Sequence, residues 1–179
     1  MLRGFDRGGA NIYHARLMFA RPLIDGVDFA LNGKELHGNV ALDALPRLGE
    51  LLANSRGSIA FYLRGFKEGD RLMLKVELAG DCLLRCQRCL GELAYPVAIS
   101  SSLRLAPAEL IEEVDIDDEV ECIEASSQID VLSLVEEELL LGIPYAPRHP
   151  KGECAMQVNE PRQSTHPFAA LANFNKKQQ

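Results

Sequence analysis

The chain has 179 residues, of which 47% are hydrophobic and 25% are charged. These values exclude a wholly disordered protein and allow a single domain with a substantial core. There is no run of 18 apolar residues and no apolar signal-peptide core near the start, so we expect a cytoplasmic protein that does not enter a membrane. Thiols stay reduced in the cytoplasm, so the five cysteines indicate metal ligands or buried free thiols, not disulfides.

The formal net charge of −7 is unevenly distributed along the chain. Residues 105–138 hold 13 acidic side chains and no lysine or arginine, whereas the remainder holds 19 basic and 13 acidic side chains. This asymmetry allows one protein to present both a basic and an acidic face. The acidic stretch is interpreted either as a solvated loop or as a segment that docks a partner.

Two elements are predicted before residue 57. Strands at Val27–Leu31 and Glu35–Val40 are expected to form a hairpin, because the intervening Asn-Gly pair favours a tight turn. Residues 42–54 are predicted to form a helix that is capped by Asp43. Its apolar side chains fall near helical spacing at Leu42, Leu45, Leu48, Leu51 and Leu52.

Alternation with a period of two, in which larger apolar residues alternate with mostly polar or small ones, dominates the middle of the chain. It predicts three long strands, at residues 59–64, 72–79 and 93–105, each with one buried face. Short turns between them favour an antiparallel meander that can curl toward a barrel, with a cysteine cluster at one hairpin tip.

The acidic stretch is predicted to contain a short helix at Pro107–Glu113 and a short strand at Glu119–Glu124. A longer helix follows, with Asp130 as its N-cap and with Gly142 and Pro144 at its end. Its buried stripe is expected to comprise Leu132, Val135, Leu139 and Ile143, whereas Glu136, Glu137 and Glu138 are expected to face water.

Residues 144–166 contain four of the nine prolines and are predicted to form an irregular arm. The apolar residues 167–174 are predicted to form a short docking helix, and residues 175–179 are predicted to form a polar tail. The fold class is therefore α+β, with an antiparallel sheet, two main helices and an irregular C-terminal arm. We expect residues 1–179 to form a single domain.

Three cysteines lie within the run Cys82-Leu-Leu-Arg-Cys86-Gln-Arg-Cys89-Leu-Gly91. Thiolates two residues apart can bind one soft cation, and Gly91 is expected to adopt a positive φ angle behind them. Because structural zinc requires four N or S ligands, the run is predicted to share a zinc ion with the proline-rich arm. The predicted ligands are Cys86, Cys89, Cys154 and either His149 or Cys82, with His149 preferred.

Two other interpretations of the cysteines remain. A redox pair of the thioredoxin type is disfavoured, because such a pair begins a helix, whereas strands are predicted on both sides here. Alternatively, the cysteines are inert. Cys82 is best interpreted as an inward-facing neighbour of Leu84, and Cys122 as a buried strand residue.

Basic side chains surround the cysteine run and are candidates for contact with nucleic acid. Arg85 and Arg88 interleave with the cysteines, and Arg71 lies on an adjoining strand. Guanidinium groups match phosphate oxygens, and zinc knuckles occur in RNA-binding proteins. The competing interpretation is that these arginines only solvate a turn.

Four separated blocks together resemble a known bacterial family. They are Cys86-Gln-Arg-Cys89-Leu-Gly91, the helix from Ile129 leading into Ile143-Pro-Tyr-Ala-Pro, the His149-to-Cys154 spacing, and His166-Pro-Phe-Ala-Ala-Leu171. In this order they resemble the YceD family across most of residues 57–174. Cys82 and Cys122 are not expected from the family pattern.

This resemblance implies a non-enzymatic role in ribosome biogenesis, in which the protein supports synthesis, processing or stability of 23S rRNA. The implied partner is large-subunit rRNA or a pre-ribosomal particle, with a basic ribosomal protein as a further partner. The alternative is a protein-only adaptor whose acidic residues 105–138 bind a basic client. No nucleophile motif or phosphate-binding glycine loop indicates an enzyme or a small-molecule substrate.

Overall fold

The structure is a computed structural model that describes residues 13–14, 21–111 and 120–154. Its strands are β1 (Tyr13–His14), β2 (Leu23–Ile24), β3 (Glu35–Ala41), β4 (Ser58–Glu68), β5 (Arg71–Arg85), β6 (Glu92–Ala106), β7 (Cys122–Glu124) and β8 (Ile129–Asp130). Its α-helices are α1 (Gly26–Leu31) and α2 (Val131–Gly142), and 3₁₀ turns occur at Leu42–Ala44, Leu48–Glu50 and Ala108–Leu110. No helix among these residues is long and apolar enough to cross a membrane.

The three alternating segments form the centre of a six-stranded sheet in the order β1-β3-β4-β5-β6-β7. Strands β3 to β6 pair antiparallel, whereas β1 and β7 add parallel edges. Within the described residues the sheet stays open and does not close into a barrel. The predicted α+β class with an antiparallel meander is therefore confirmed.

One face of the sheet is buried, as the alternation predicts. The core packs this face against α1, α2 and the segment between β3 and β4. Its fully buried large side chains include Leu42, Leu48, Ile59, Leu63, Leu74, Leu78, Leu84, Leu103, Val131 and Leu139.

The predicted strand at Val27–Leu31 is wrong, because these residues belong to α1. Asp25 caps this helix by accepting a hydrogen bond from the Asp28 amide at 2.9 Å. The helix buries Phe29 and Ala30 against the sheet, where Gly65 permits close approach of the two backbones. The Asn-Gly pair that predicted a hairpin turn instead follows the end of this helix, where Asn32 is the C-cap.

The predicted helix over residues 42–54 is also wrong. Two 3₁₀ turns replace it, and the residues that follow them form a short antiparallel bridge to β5. The Ala53 amide donates to the Leu83 carbonyl at 2.7 Å, and the Arg85 amide donates to the Leu51 carbonyl at 2.8 Å. Backbone groups that pair with a strand are not available to an α-helical ladder.

Helix α2 begins at its predicted cap, because Asp130 accepts hydrogen bonds from the amides of Leu132 and Ser133. The expectation that its glutamates face water is wrong for two of them. Glu136 is 6% exposed and Glu138 is 4% exposed. Glu136 accepts backbone hydrogen bonds from the segment between β3 and β4, and Glu138 bonds the Ser101 hydroxyl on β6.

The remaining elements agree with their prediction where they are described. Strand β7 lies within the predicted strand, and a 3₁₀ turn occurs within the predicted helix at Pro107–Glu113. Residues 144–154 contain no helix or strand, as expected for the arm. Residues 112–119 and the predicted elements beyond Cys154, including the docking helix and the polar tail, lie outside the described residues.

Alanine at position 65 is expected to destabilise the fold by about 2–3 kcal/mol, the upper range for overpacking. Its Cβ would collide with the Phe29 carbonyl oxygen and would lie 2.7 Å from the Ala30 Cα, so α1 would have to move. Urea unfolding of the Gly65→Ala variant measures this loss. Gly49→Ala is the control, because a Cβ there meets nothing within 4 Å. Equal stability of the two variants would contradict the close approach.

Candidate metal centre

The tip of the β5–β6 hairpin is a tight loop that carries Cys86 and Cys89. The Cys86 amide donates to the Gly91 carbonyl, and the Leu90 amide donates to the Cys86 carbonyl, both at 2.9 Å. Leu90 has a φ angle of 61°, so the expectation of a positive φ angle at Gly91 is wrong. A non-glycine residue in this conformation stores strain, and the Leu90 side chain is 70% exposed.

The proline-rich arm returns to this loop after α2. The Gln87 amide donates to the carbonyl of the buried Pro147 at 2.8 Å, which holds the start of the arm against the tip. Two residues later, His149 contacts β6, because its Nε2 lies 2.9 Å from the Glu92 carbonyl oxygen. The hairpin tip therefore holds Pro147 and His149 in place, although residues 144–154 contain no helix or strand.

This arrangement brings together the preferred set of predicted ligands. The side-chain donor atoms of Cys86, Cys89, His149 and Cys154 all lie within 4.8 Å of one another. The Cys89 sulfur is 3.4 Å and the Cys154 sulfur 3.8 Å from Nδ1 of His149. In tetrahedral zinc, with Zn–S bonds of about 2.3 Å, neighbouring ligand atoms are about 3.5–3.8 Å apart. The four side chains therefore fit a structural zinc ion, although their binding of a metal stays a prediction.

The contact between His149 and the Glu92 carbonyl selects the form of the imidazole that suits a metal. A carbonyl oxygen only accepts hydrogen bonds, so Nε2 must carry the proton that it donates. In the neutral ring, Nδ1 then presents its lone pair to the cysteine sulfurs. A histidine ligand whose other nitrogen donates to a backbone carbonyl is the usual second layer of a zinc site.

The loop backbone stabilises a negative charge on Cys86. Burial raises the pKa of this thiol, but the amides of Cys89, His149 and Arg88 donate hydrogen bonds to the sulfur, and the pKa falls to about 5. The Gly91 amide lowers the pKa of Cys89, but burial and the nearby sulfurs of Cys154 and Cys86 outweigh it, so this pKa is raised. Cys86 is thus a thiolate at neutral pH, which is the form that binds metals.

The cysteine sulfurs also affect the pKa of the histidine in the cluster. Cys86 and then Cys154 raise the pKa of His149. Metal ligands must be deprotonated, so a cation bound to this cluster would displace any protons that the four side chains carry.

Cys82, the other predicted candidate for the fourth position, does not join the cluster. It lies on β5 opposite Tyr95 and is buried with Leu84, as the inert interpretation predicts. Burial, and then the charge of Asp81, raises the pKa of Cys82. Cys122 is likewise buried on β7.

The three arginines predicted to contact RNA are not grouped. Arg88 is bound to the arm through its guanidinium group. Arg85 is exposed at the end of β5 beside the cysteine loop. Arg71 is also exposed, but it begins β5 at the opposite end of this fifteen-residue strand, roughly 45 Å away if the strand were straight. Their binding of RNA stays a prediction.

Two supporting groups of the cluster were not predicted. The sequence does not mark the Glu92 carbonyl, because a backbone acceptor leaves no signal in the residue type. The bonding of Arg88 to the arm was missed because its position between two cysteines equally suits a phosphate contact. Only the spacing of His149 and Cys154 pointed to the arm as a partner of the tip.

Comparison with known proteins links this cluster to a family. A family model described as large ribosomal RNA subunit accumulation protein YceD matches residues 74–175, which include all four cluster residues. The chain belongs to the YceD family. The resemblance predicted from the four sequence blocks is therefore confirmed.

A curated member of the family shares a larger part of the chain. It is the large ribosomal RNA subunit accumulation protein YceD of Haemophilus influenzae, which is 26% identical over 167 residues. The alignment covers 86% of this chain and 95% of the relative. No solved structure matches the chain.

Proposed function

We propose that this protein is a non-enzymatic factor that supports the accumulation of 23S rRNA of the large ribosomal subunit in the cytoplasm. Membership of the YceD family supports this proposal, as does the name of the Haemophilus influenzae relative. The partner is large-subunit rRNA, either free or within a pre-ribosomal particle. The protein acts by binding, and its cysteine cluster is structural.

In this proposal, Cys86, Cys89, His149 and Cys154 hold one zinc ion. The observation that supports it is the convergence of four donor atoms, within 4.8 Å, from two chain segments about 60 residues apart. Four protein ligands complete a tetrahedron and leave no open position for substrate or water, which is typical of structural zinc and not of catalytic zinc. The ion would join the arm to the hairpin tip as one rigid body, which we call the knob (residues 85–92 and 144–154).

The knob presents cations to solvent. It contains four basic and two acidic side chains, and Arg85, Arg148 and Lys151 are exposed. We assign these three to phosphate contacts on rRNA, because exposed guanidinium and ammonium groups bind phosphate without regard to sequence. Arg71 would contact the RNA separately, at the other end of β5.

The acidic stretch at residues 105–138 is assigned to a second contact, with a basic ribosomal protein in the same particle. Glu136 and Glu138 are excluded from this surface because they are buried in the fold. The contact therefore falls to the acidic residues before α2 and to Glu137, whose side chain is about half exposed. Complementary charge of this kind favours fast association and correct pairing more than affinity.

Complementation of cells that lack this protein tests the proposed function. Wild-type protein is expected to restore the ratio of 23S to 16S rRNA, whereas Cys89→Ser is expected to restore it poorly, because the knob would not assemble. Cys122→Ala is the matched control and should complement, since Cys122 lies outside the cluster. The ratio is read from total RNA, together with the association of the protein with large-subunit precursors on sucrose gradients.

Two results would contradict the proposal. An unchanged ratio in cells without the protein would remove the role in rRNA accumulation. A pull-down that contains no large-subunit rRNA and whose protein partners all survive digestion of RNA would instead indicate an adaptor that contacts only proteins. If RNA is bound directly, Arg85→Ala should reduce the slope of log K against log salt by about one, as expected for one lost phosphate contact.

A further inference from the structure

We propose that Arg88 is a positioning residue of the metal centre, which fixes the arm's two ligands in place, and is not a phosphate contact. This inference rests on the metal centre proposed above. It reassigns a side chain whose position in the sequence suggested RNA binding. The evidence is the set of bonds that its guanidinium group makes with the arm.

The guanidinium group of Arg88 joins the two halves of the cluster. Its Nη2 donates to the carbonyl oxygens of His149 at 2.6 Å and Pro150 at 3.1 Å. Its Nε donates to the sulfur of Cys154 at 3.0 Å. One side chain of the tip thus contacts the backbone of one arm ligand and the metal-binding atom of the other.

These bonds act on a segment without regular structure, which also contacts the hairpin through His149 Nε2 and the Glu92 carbonyl oxygen at 2.9 Å. Residues 148–154 contain no helix or strand, and the Glu153 amide donates within the segment to the Pro150 carbonyl at 3.2 Å. A metal ion that binds a disordered arm must also supply the free energy of ordering it. Arg88 supplies part of that order beforehand, so the ion binds a preorganised pair of ligands.

Charge gives Arg88 a second effect on the centre. Three thiolates and one Zn²⁺ ion carry a formal charge of −1, and the cationic guanidinium lies directly against one of the sulfurs. A hydrogen bond to a ligating sulfur withdraws electron density from it and alters the metal–sulfur bond. Lysine would retain the charge but would lack the planar fork that reaches three acceptors at once.

Zinc affinity of the full chain, measured by competition with a chelator, tests this role. We expect Arg88→Ala to bind zinc 10- to 100-fold more weakly than wild type, the usual effect of removing a second-layer partner. Arg88→Lys should give an intermediate affinity. Arg85→Ala is the matched control and should change the affinity less than twofold, because among the described residues the guanidinium of this neighbouring arginine donates only to the Leu52 carbonyl, at 3.5 Å.

Cobalt substitution supplies a readout that a change in stability does not reproduce. In Co²⁺-loaded Arg88→Ala, the thiolate-to-metal absorption band is expected to shift, because the Cys154 sulfur loses its N–H donor. The band should be unchanged in Arg85→Ala. A shift in both variants, or in neither, would contradict a direct contact between Arg88 and the ligand sulfur.

The outcomes separate this inference from the metal centre on which it rests. Wild-type protein that binds no zinc overturns the metal centre, and the role of Arg88 fails with it. Stoichiometric zinc in wild type with equal affinity in Arg88→Ala overturns the role of Arg88 alone. Equal zinc affinity in Arg88→Ala combined with weaker binding of an rRNA fragment would indicate that Arg88 contacts phosphate.

Discussion

Replacing Cys86 with serine is expected to abolish stoichiometric zinc binding and to release residues 144–154 from the hairpin tip. Cys86 is the fully buried member of the cluster, and backbone amides converge on its sulfur. A serine hydroxyl stays protonated at neutral pH and is a poor ligand for zinc. Structural zinc contributes about 10–16 kcal/mol of apparent binding free energy in small zinc-finger peptides, so loss of one ligand should weaken binding by orders of magnitude.

Metal content by mass spectrometry and hydrogen exchange of the arm measure the two expected effects of Cys86→Ser. Cys82→Ala is the control, because Cys82 shares the same sequence run but lies outside the cluster. It should retain one zinc ion per chain and slow exchange at the Gln87 amide, which donates to Pro147. Full metal content in Cys86→Ser would contradict the ligand set. Loss of metal in Cys82→Ala would indicate that Cys82, and not His149, is the fourth ligand.

The tip and the long strands could be predicted because their signals are local. Apolar alternation over six to thirteen residues identifies β4, β5 and β6, and a turn between two of them places Cys86 and Cys89 at a tip. The arm ligands required a further chemical argument. A pair of thiolates leaves two positions of a tetrahedron open, and His149 and Cys154 can fill them. They lie in an arm for which the sequence predicts no helix or strand.

The segment before β4 could not be predicted, because contacts distant in sequence determine its structure. Gly65 on β4 allows α1 to approach the sheet closely, so the residues before the Asn-Gly pair can pack there as a helix and not as a hairpin strand. Residues 51–53 pair with the end of β5, which prevents the predicted helix over residues 42–54. A sequence pattern does not show which backbone groups will be taken by a distant strand.

Glu136 also makes contacts that the sequence does not show, and its replacement is expected to lower the free energy of unfolding. Its Oε1 accepts hydrogen bonds from the amides of Arg47 at 2.7 Å and Leu48 at 3.1 Å, in place of the bonds that an α-helix would make. Glu136→Ala would leave both amides without this acceptor, next to the fully buried Leu48 side chain. At about 1–3 kcal/mol for each unsatisfied buried group, we expect a loss of about 3–4 kcal/mol in the free energy of unfolding.

Urea unfolding at neutral pH measures this loss, and two variants on the same helix make it specific. Glu136→Gln keeps a side-chain oxygen as acceptor and should lose less stability than Glu136→Ala. Glu137→Gln should lose least, because the Glu137 carboxylate is about half exposed and, within the part of the chain that the structure describes, pairs with the exposed Arg47 guanidinium alone. Equal losses at positions 136 and 137 would show that helix propensity or net charge, and not the two backbone hydrogen bonds, accounts for the effect.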